Sequence, residues 1–358
     1  DVTAFLHPAG NVLAVTVNHY GESTFHYNLG RGGLLCQLEI TYGDGRTDKI
    51  VTDRNWKIAP FAAYQRPAPR ISCQMPFEEN FDARQFAPDW QQPSFDDHDW
   101  QNAVEIGPVG TAPWTALQPR AIPFLSRVPY YPLRIVSIRF VRPARLVETV
   151  NIKLSLLPGD RTANHNAYRG LIVAEVISPT RQKAKLVRNY FIHQGHWYIN
   201  GKEIEPPARR ETEIELKQDL EILFDFGQEL VGFTEFEVDA AAGAILDFHC
   251  FEAINDGVIQ ETYGNRSSFR YVTRSGLQHF VTDWRRGFRY TAMTVRSLTA
   301  PLKIRYLRTL MSTYPAVGRG SFQCSDERLN RIWKVGRHTL LCCMEDTFTD
   351  CPTYEQTF

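Results

Sequence analysis

At 358 residues the chain exceeds the ~250 residues at which a single hydrophobic core stops growing, which excludes one compact domain and predicts two or three. Its 40 Lys and Arg balance 40 Asp and Glu, so there is no global field to attract nucleic acid or anionic lipid, and no stretch forms a basic patch. The longest apolar runs, such as residues 240–246, fall far short of the roughly 18 residues of a membrane span, so a soluble chain with neither a nucleic-acid nor a membrane partner is expected.

Residues 1–60 read as strands and turns. Asn11 to Val17 alternates. Leu34 to Tyr42 is followed by Gly43-Asp44-Gly45 and a second short strand from Thr47 to Thr52, a pattern that predicts an antiparallel sandwich. The chain begins Asp1-Val2-Thr3 with a strand pattern at once, as though inside a domain, so the lack of a signal peptide carries no weight. Residues 61–132 are richer in Pro and aromatics and read as an ordered irregular connection.

Strand character returns over 133–315. Ile135 to Val141, Val150 to Leu157 and Leu171 to Ile177 read as strands, and His196 to Ile204 as a hairpin turning at Asn200-Gly201. Glu221 to Phe226 and Thr234 to Val238 alternate as well, which predicts a second β-sandwich region.

Near Gly318 the period changes. Ser325 is expected to cap a helix opening with Asp326 and Glu327, and Leu329, Ile332, Trp333, Leu340 and Cys343 then recur at helical spacing, with small Gly336 where another helix can approach. Cys351 precedes Pro352 and is pushed toward an extended conformation, so the helix ends before it.

The chemistry-bearing candidates concentrate at that helix end. Asp350 and Glu355 lie five residues apart across the Pro352 bend, with Phe348, Tyr354 and Phe358 available as an apolar wall that raises a carboxyl pKa for acid/base work. On spacing alone, a capping aspartate and a solvated glutamate explain the pair as well. Trp197, Trp284 and Trp333 are read as core residues before sugar platforms. His193 and His196 lack further ligands for zinc, and Asn265-Arg266-Ser267 is a weak glycosylation triplet. Seven cysteines (Cys36, Cys73, Cys250, Cys324, Cys342, Cys343 and Cys351) without CxxC spacing favour free thiols in a reducing compartment, hence a cytoplasmic rather than a secreted location. No cofactor is expected, with a structural calcium left open.

Several stretches, in order, resemble the bacterial α-L-rhamnosidases of glycoside hydrolase family 78. Gly10 to Val15 and Gln37 to Lys57 are similar to the back half of that family's N-terminal jelly-roll sandwich, and Phe81 to Arg84 with Ser94 to Trp100 to the connection after it. Phe224 to Phe233, Glu252, Asp256-Gly257 and Gly287 to Tyr290 resemble the sandwich before the catalytic domain. Gly320 to Ser325, Leu329 to Trp333 and Asp350-Cys351-Pro352 resemble the opening helix and acidic motif of the (α/α)6 barrel.

The resemblance implies a mainly β chain: 1–60 as the back half of an N-terminal β-sandwich, 61–132 connecting, 133–315 a second β-sandwich, and 316–358 the start of the (α/α)6 barrel. It implies inverting hydrolysis of terminal α-L-rhamnose from an oligosaccharide or glycoside. Asp350 would then bind the sugar beside Tyr354, Glu355 would serve as general acid, and the general base would lie beyond Phe358. The family often continues Gln-Arg-Asp-Glu-Arg, which puts its acid where this chain has Gln356. Either Glu355 has taken over the role or the copy is inactive, and the first is favoured. Two other classes stay open: a non-catalytic carbohydrate-binding module, and a helical-barrel polysaccharide lyase.

Overall fold

The computed structural model describes residues 1–24, 30–66, 68, 70–72, 74–143, 159–160, 171–177, 190–193, 196–199, 202–204, 214–255, 258–260, 265 and 267–355. The expected strand at Val150 to Leu157, the Asn200-Gly201 turn, Asp256-Gly257, Gln356 and Phe358 lie outside them. The chain is mainly β, with one α-helix among the described residues, at its C-terminal end. It forms two compact units: one of Asp1–Ser23, Asn28–Ala63 and Gln85–Arg120, the other of Thr24–Tyr27, Tyr64–Arg84 and Ala121–Phe358.

In the first unit, strands Gln37–Thr41 and Thr47–Val51 pair antiparallel, with Thr41 opposite Thr47. Their turn closes through the Gly45 amide donating to the Tyr42 carbonyl, with Gly45 at φ 87°, a conformation open to glycine at little cost. A two-residue ladder joins Lys57–Ile58 to Gln101–Asn102. Phe61 packs edge-on against Phe86 and Trp90, and Trp90 stacks on Trp100, so the aromatics of the irregular stretch serve as local packing. The alternating residues 11–17 form no strand. Val12, Val15 and Val17 are exposed, and alternation without a partner edge makes no ladder.

The second unit is built around strand Leu220–Ala240, whose 21 residues are almost continuously buried. Its first part, Leu220 to Asp225, pairs with strands Arg134–Pro143 and Arg286–Arg296. After a register shift between Asp225 and Leu230, it pairs from Gly232 onward with Leu302–Met311, and from Glu235 with Gly276–Val281. The irregularity is held by Gly227 at φ 83°, whose amide donates to Asp225 Oδ1 at 2.7 Å. The two expected strands at 221–226 and 234–238 are thus one strand that changes partners at a bulge.

Phe236, Phe248, Phe269, Tyr271 and Phe280, carried by strands Leu220–Ala240, Ile245–Phe251, Ser268–Val272 and Gly276–Val281, are buried against one another. Each contributes roughly 1.5–3 kcal/mol by burial. Buried charges here are paired: Arg139 with Glu221, Asp225 with Arg134 and Arg289, and Asp247 with Arg270 and Arg296. Trp284 is core. Asn265 is buried too, which removes the glycosylation reading.

Helix Glu327–Cys342 is capped by Asp326, not by the expected Ser325. Asp326 is extended at φ −90°, ψ 107°, and its carboxylate accepts from the Arg328 amide at 2.8 Å. Asn330 and Cys342 are its buried residues, whereas Leu329, Ile332, Val335 and Leu340 are exposed, so the helix meets the sheet through a different side from its most apolar one. Among the described residues no helix is long and apolar enough to cross a membrane.

Candidate active site

Everything that places the terminal carboxylates starts from the helix end. The Arg285 side chain, buried beside the sheet, donates to the Ser312 carbonyl at 2.9 Å, to the Cys342 carbonyl at 3.1 Å, and to Glu345. Burial pushes its pKa down, while Glu345 opposes that shift. His338 Nε2 donates to the Glu229 carbonyl at 2.6 Å. Beyond the helix, the Thr349 amide returns to the Cys343 carbonyl at 2.8 Å, and the Met344 carbonyl accepts from the Tyr314 amide at 2.8 Å. These bonds fasten the chain just before Asp350.

From there the chain folds back. The Glu355 carbonyl accepts from the amides of Asp350 at 3.1 Å and Cys351 at 3.4 Å, and the Glu355 amide donates to Cys351 Sγ at 3.3 Å. Such closure across the Pro352 bend sets Asp350 and Glu355, distant in an extended chain, side by side, so that the carboxyl of one acts on that of the other. Strand Arg286–Arg296 lies against the bend: a Cβ at Gly287 would run into the Pro352 carbonyl and the Thr353 methyl, so the approach depends on glycine.

Electrostatics separate the roles of the pair. The Glu355 carboxyl is raised above the usual glutamate range, first by its hydrogen bond to Asp350, then by desolvation and the Asp350 charge; the Gln74 amide opposes the shift. Gln74 Nε2 donates to Glu355 Oε1 at 3.2 Å. Phe348 is 54% exposed and builds no apolar wall, so the neighbouring carboxyl takes the place of the hydrophobic surroundings expected from sequence. Tyr354 is half-buried in the same turn and Asp350 is exposed. Sequence reasoning brought Asp350, Tyr354 and Glu355 to one place and missed Gln74, which belongs to no local motif.

Other candidates lie elsewhere. Trp333 is half-buried on the helix, stacked near Phe322 with Arg337 over its ring. His193 and His196 are register partners of the antiparallel strands Tyr190–His193 and His196–Ile199. Among the described residues, no group of three or more His, Cys, Asp or Glu is placed to hold a metal ion.

Residues 1–122 match the α-L-rhamnosidase N-terminal domain, 215–307 the bacterial α-L-rhamnosidase concanavalin-like domain, and 318–358 the bacterial α-L-rhamnosidase six-hairpin glycosidase domain. The chain belongs to the bacterial α-L-rhamnosidases. A solved family 78 rhamnosidase from Bacillus sp. GL1 is 29% identical with a TM-score of 0.72, over 94% of this chain and 50% of that one. An α-L-rhamnosidase of Streptomyces avermitilis is 32% identical over 106 residues, 28% of this chain and 10% of that protein. Another from Formosa agariphila is 34% identical over 116 residues, 30% of this chain and 12% of that protein. The chain therefore spans about half the length of the solved rhamnosidase it matches. Its alignments with the two curated relatives take in about a tenth of each. In this family the Asp350–Glu355 turn falls inside the glycosidase-domain match, while Gln74 falls inside the N-terminal one.

Proposed function

We propose that this chain forms the β scaffold and one wall of the active site of an inverting α-L-rhamnosidase, with Glu355 as general acid and Asp350 and Tyr354 as sugar contacts. The observation that carries the reading is the carboxyl pair itself. Asp350 keeps Glu355 protonated to higher pH than an isolated glutamate, the condition for giving a proton to a departing glycosidic oxygen.

The pair is not an acid/base couple for inversion. Such couples stand ~6.5–9.5 Å apart so that water fits between them, whereas the Asp350 amide donates to the Glu355 carbonyl at 3.1 Å and the Asp350 carboxyl acts directly on that of Glu355 to raise it. Asp350 is therefore assigned to the sugar hydroxyls. In the proposed reaction Glu355 transfers its proton to the glycosidic oxygen as the C1–O bond breaks. Water attacks C1 from the opposite face, losing its proton to a base that is neither of these two residues. Free thiols at Cys36, Cys250, Cys324, Cys342, Cys343 and Cys351 support a reducing compartment.

The test is an assay of the full-length protein on aryl α-L-rhamnosides with good and poor leaving groups, with product configuration followed by NMR. Glu355→Gln is expected to lower kcat by about 10²–10⁴ on the poor leaving group and far less on the good one. Asp350→Asn should mainly raise KM, and β-L-rhamnose should form first. Full activity of folded Glu355→Gln removes the acid assignment, and first formation of α-L-rhamnose removes inversion.

A further inference from the structure

We infer that Gln74 is a positioning residue for the general acid, fixing which oxygen of Glu355 carries the proton; this rests on the proposed role of Glu355. The Gln74 Nε2 donates to Glu355 Oε1 at 3.2 Å. The carbonyl oxygen of a carboxylic acid accepts an amide N–H better than its hydroxyl does, so the bond at Oε1 favours the acidic proton on Oε2. Once that proton has gone to the leaving group, the same N–H faces the new carboxylate and stabilises it. A freely rotating carboxyl would divide its proton between two oxygens and two directions.

The turn that carries Gln74 is fixed independently of its side chain. Ile71 and Met75 flank it, each 1% exposed. Ser72 Oγ accepts from the amides of Gln74 and Met75, both at 3.2 Å, and the Ile71 amide donates to the Pro76 carbonyl at 2.8 Å. Arg70 Nε donates to the Met75 carbonyl at 3.0 Å. A change at the tip of residue 74 therefore alters the bond to Glu355 and leaves the turn's own bonds in place.

Gln74→Met keeps the length and removes the donor, while Gln74→Glu places a third carboxyl beside the pair. In the full-length protein, with an aryl α-L-rhamnoside of poor leaving group, each should lower kcat by about tenfold or more with KM nearly unchanged. The alkaline limb of the kcat/KM profile, set by loss of the acid's proton, should move to higher pH, farther for glutamate than for methionine. Unchanged kcat overturns the inference, and so does a fall in kcat without movement of the limb, which a merely structural role predicts. If the methionine variant unfolds, the glutamate variant carries the same comparison. An inactive wild type, or an active Glu355→Gln, removes the proposed function; an active wild type with inactive Glu355→Gln and unaltered Gln74 variants removes this inference alone.

Discussion

Glu229 sits in the irregular stretch of the long strand, with the helix above it, and burial together with the Glu252 charge pushes its carboxyl up to about 9. Unfolded, a glutamate titrates near about 4.3. Between those values the folded chain holds a proton that the unfolded chain has released. The contribution is thus fully present below the unfolded pKa and is lost as pH rises toward the folded one. Glu229→Gln removes this loss, so its Tm should exceed that of the parent by a few degrees at pH 9 and converge with it near pH 5. Parallel Tm–pH curves would sink the idea. A second residue, Gly287, is tested by steric logic. Gly287→Ala collides with the Pro352 carbonyl and should displace the Asp350–Glu355 turn, lowering kcat severalfold while the sheet's circular dichroism stays unchanged.

At the scale of elements, the attachment of helix to sheet depends on Arg285, which joins two backbone carbonyls and Glu345. Replacing it by Met leaves Glu345 and both carbonyls short of a donor in a nearly closed site. The expected cost is about 3 kcal/mol, read as a lower urea midpoint of the second unit's transition at constant m, and a change under about 1 kcal/mol would refute the assignment. The helix was legible from its acidic start and its 3.6-residue period, because both signals are local. Which side it docks by was not, because its Cys342 carbonyl meets Arg285 across 57 positions, and the Gln74–Glu355 bond beyond the helix, across 281, was hidden for the same reason. Strand alternation at 221–226 and 234–238 was equally readable. Their continuity was not, since it depends on Gly227 adopting a positive φ that carries the chain through the bulge. Residues 11–17 show the converse limit: alternation states which face a strand would bury and says nothing of whether a partner edge exists.

Across the whole molecule, burial is distributed very unevenly. Among the described residues of the first unit, Ala63 alone is buried, and all five residues of strand Thr47–Val51 are exposed. The second unit holds the stacked aromatics, the paired charges and the long strand. Local opening is cheapest where few apolar contacts resist it and backbone hydrogen bonds are open to water. Amides of the Gln37–Thr41 and Thr47–Val51 hairpin should therefore exchange with deuterium faster than those of Leu220–Ala240 by on the order of a hundredfold or more. Heating should give two transitions, because two units with such different cores have no reason to melt as one. The first transition should remove hairpin protection while the near-ultraviolet signal of the buried aromatics persists. Equal protection in both regions, or a single transition seen alike by both probes, would show instead that the first unit draws its stability from the second.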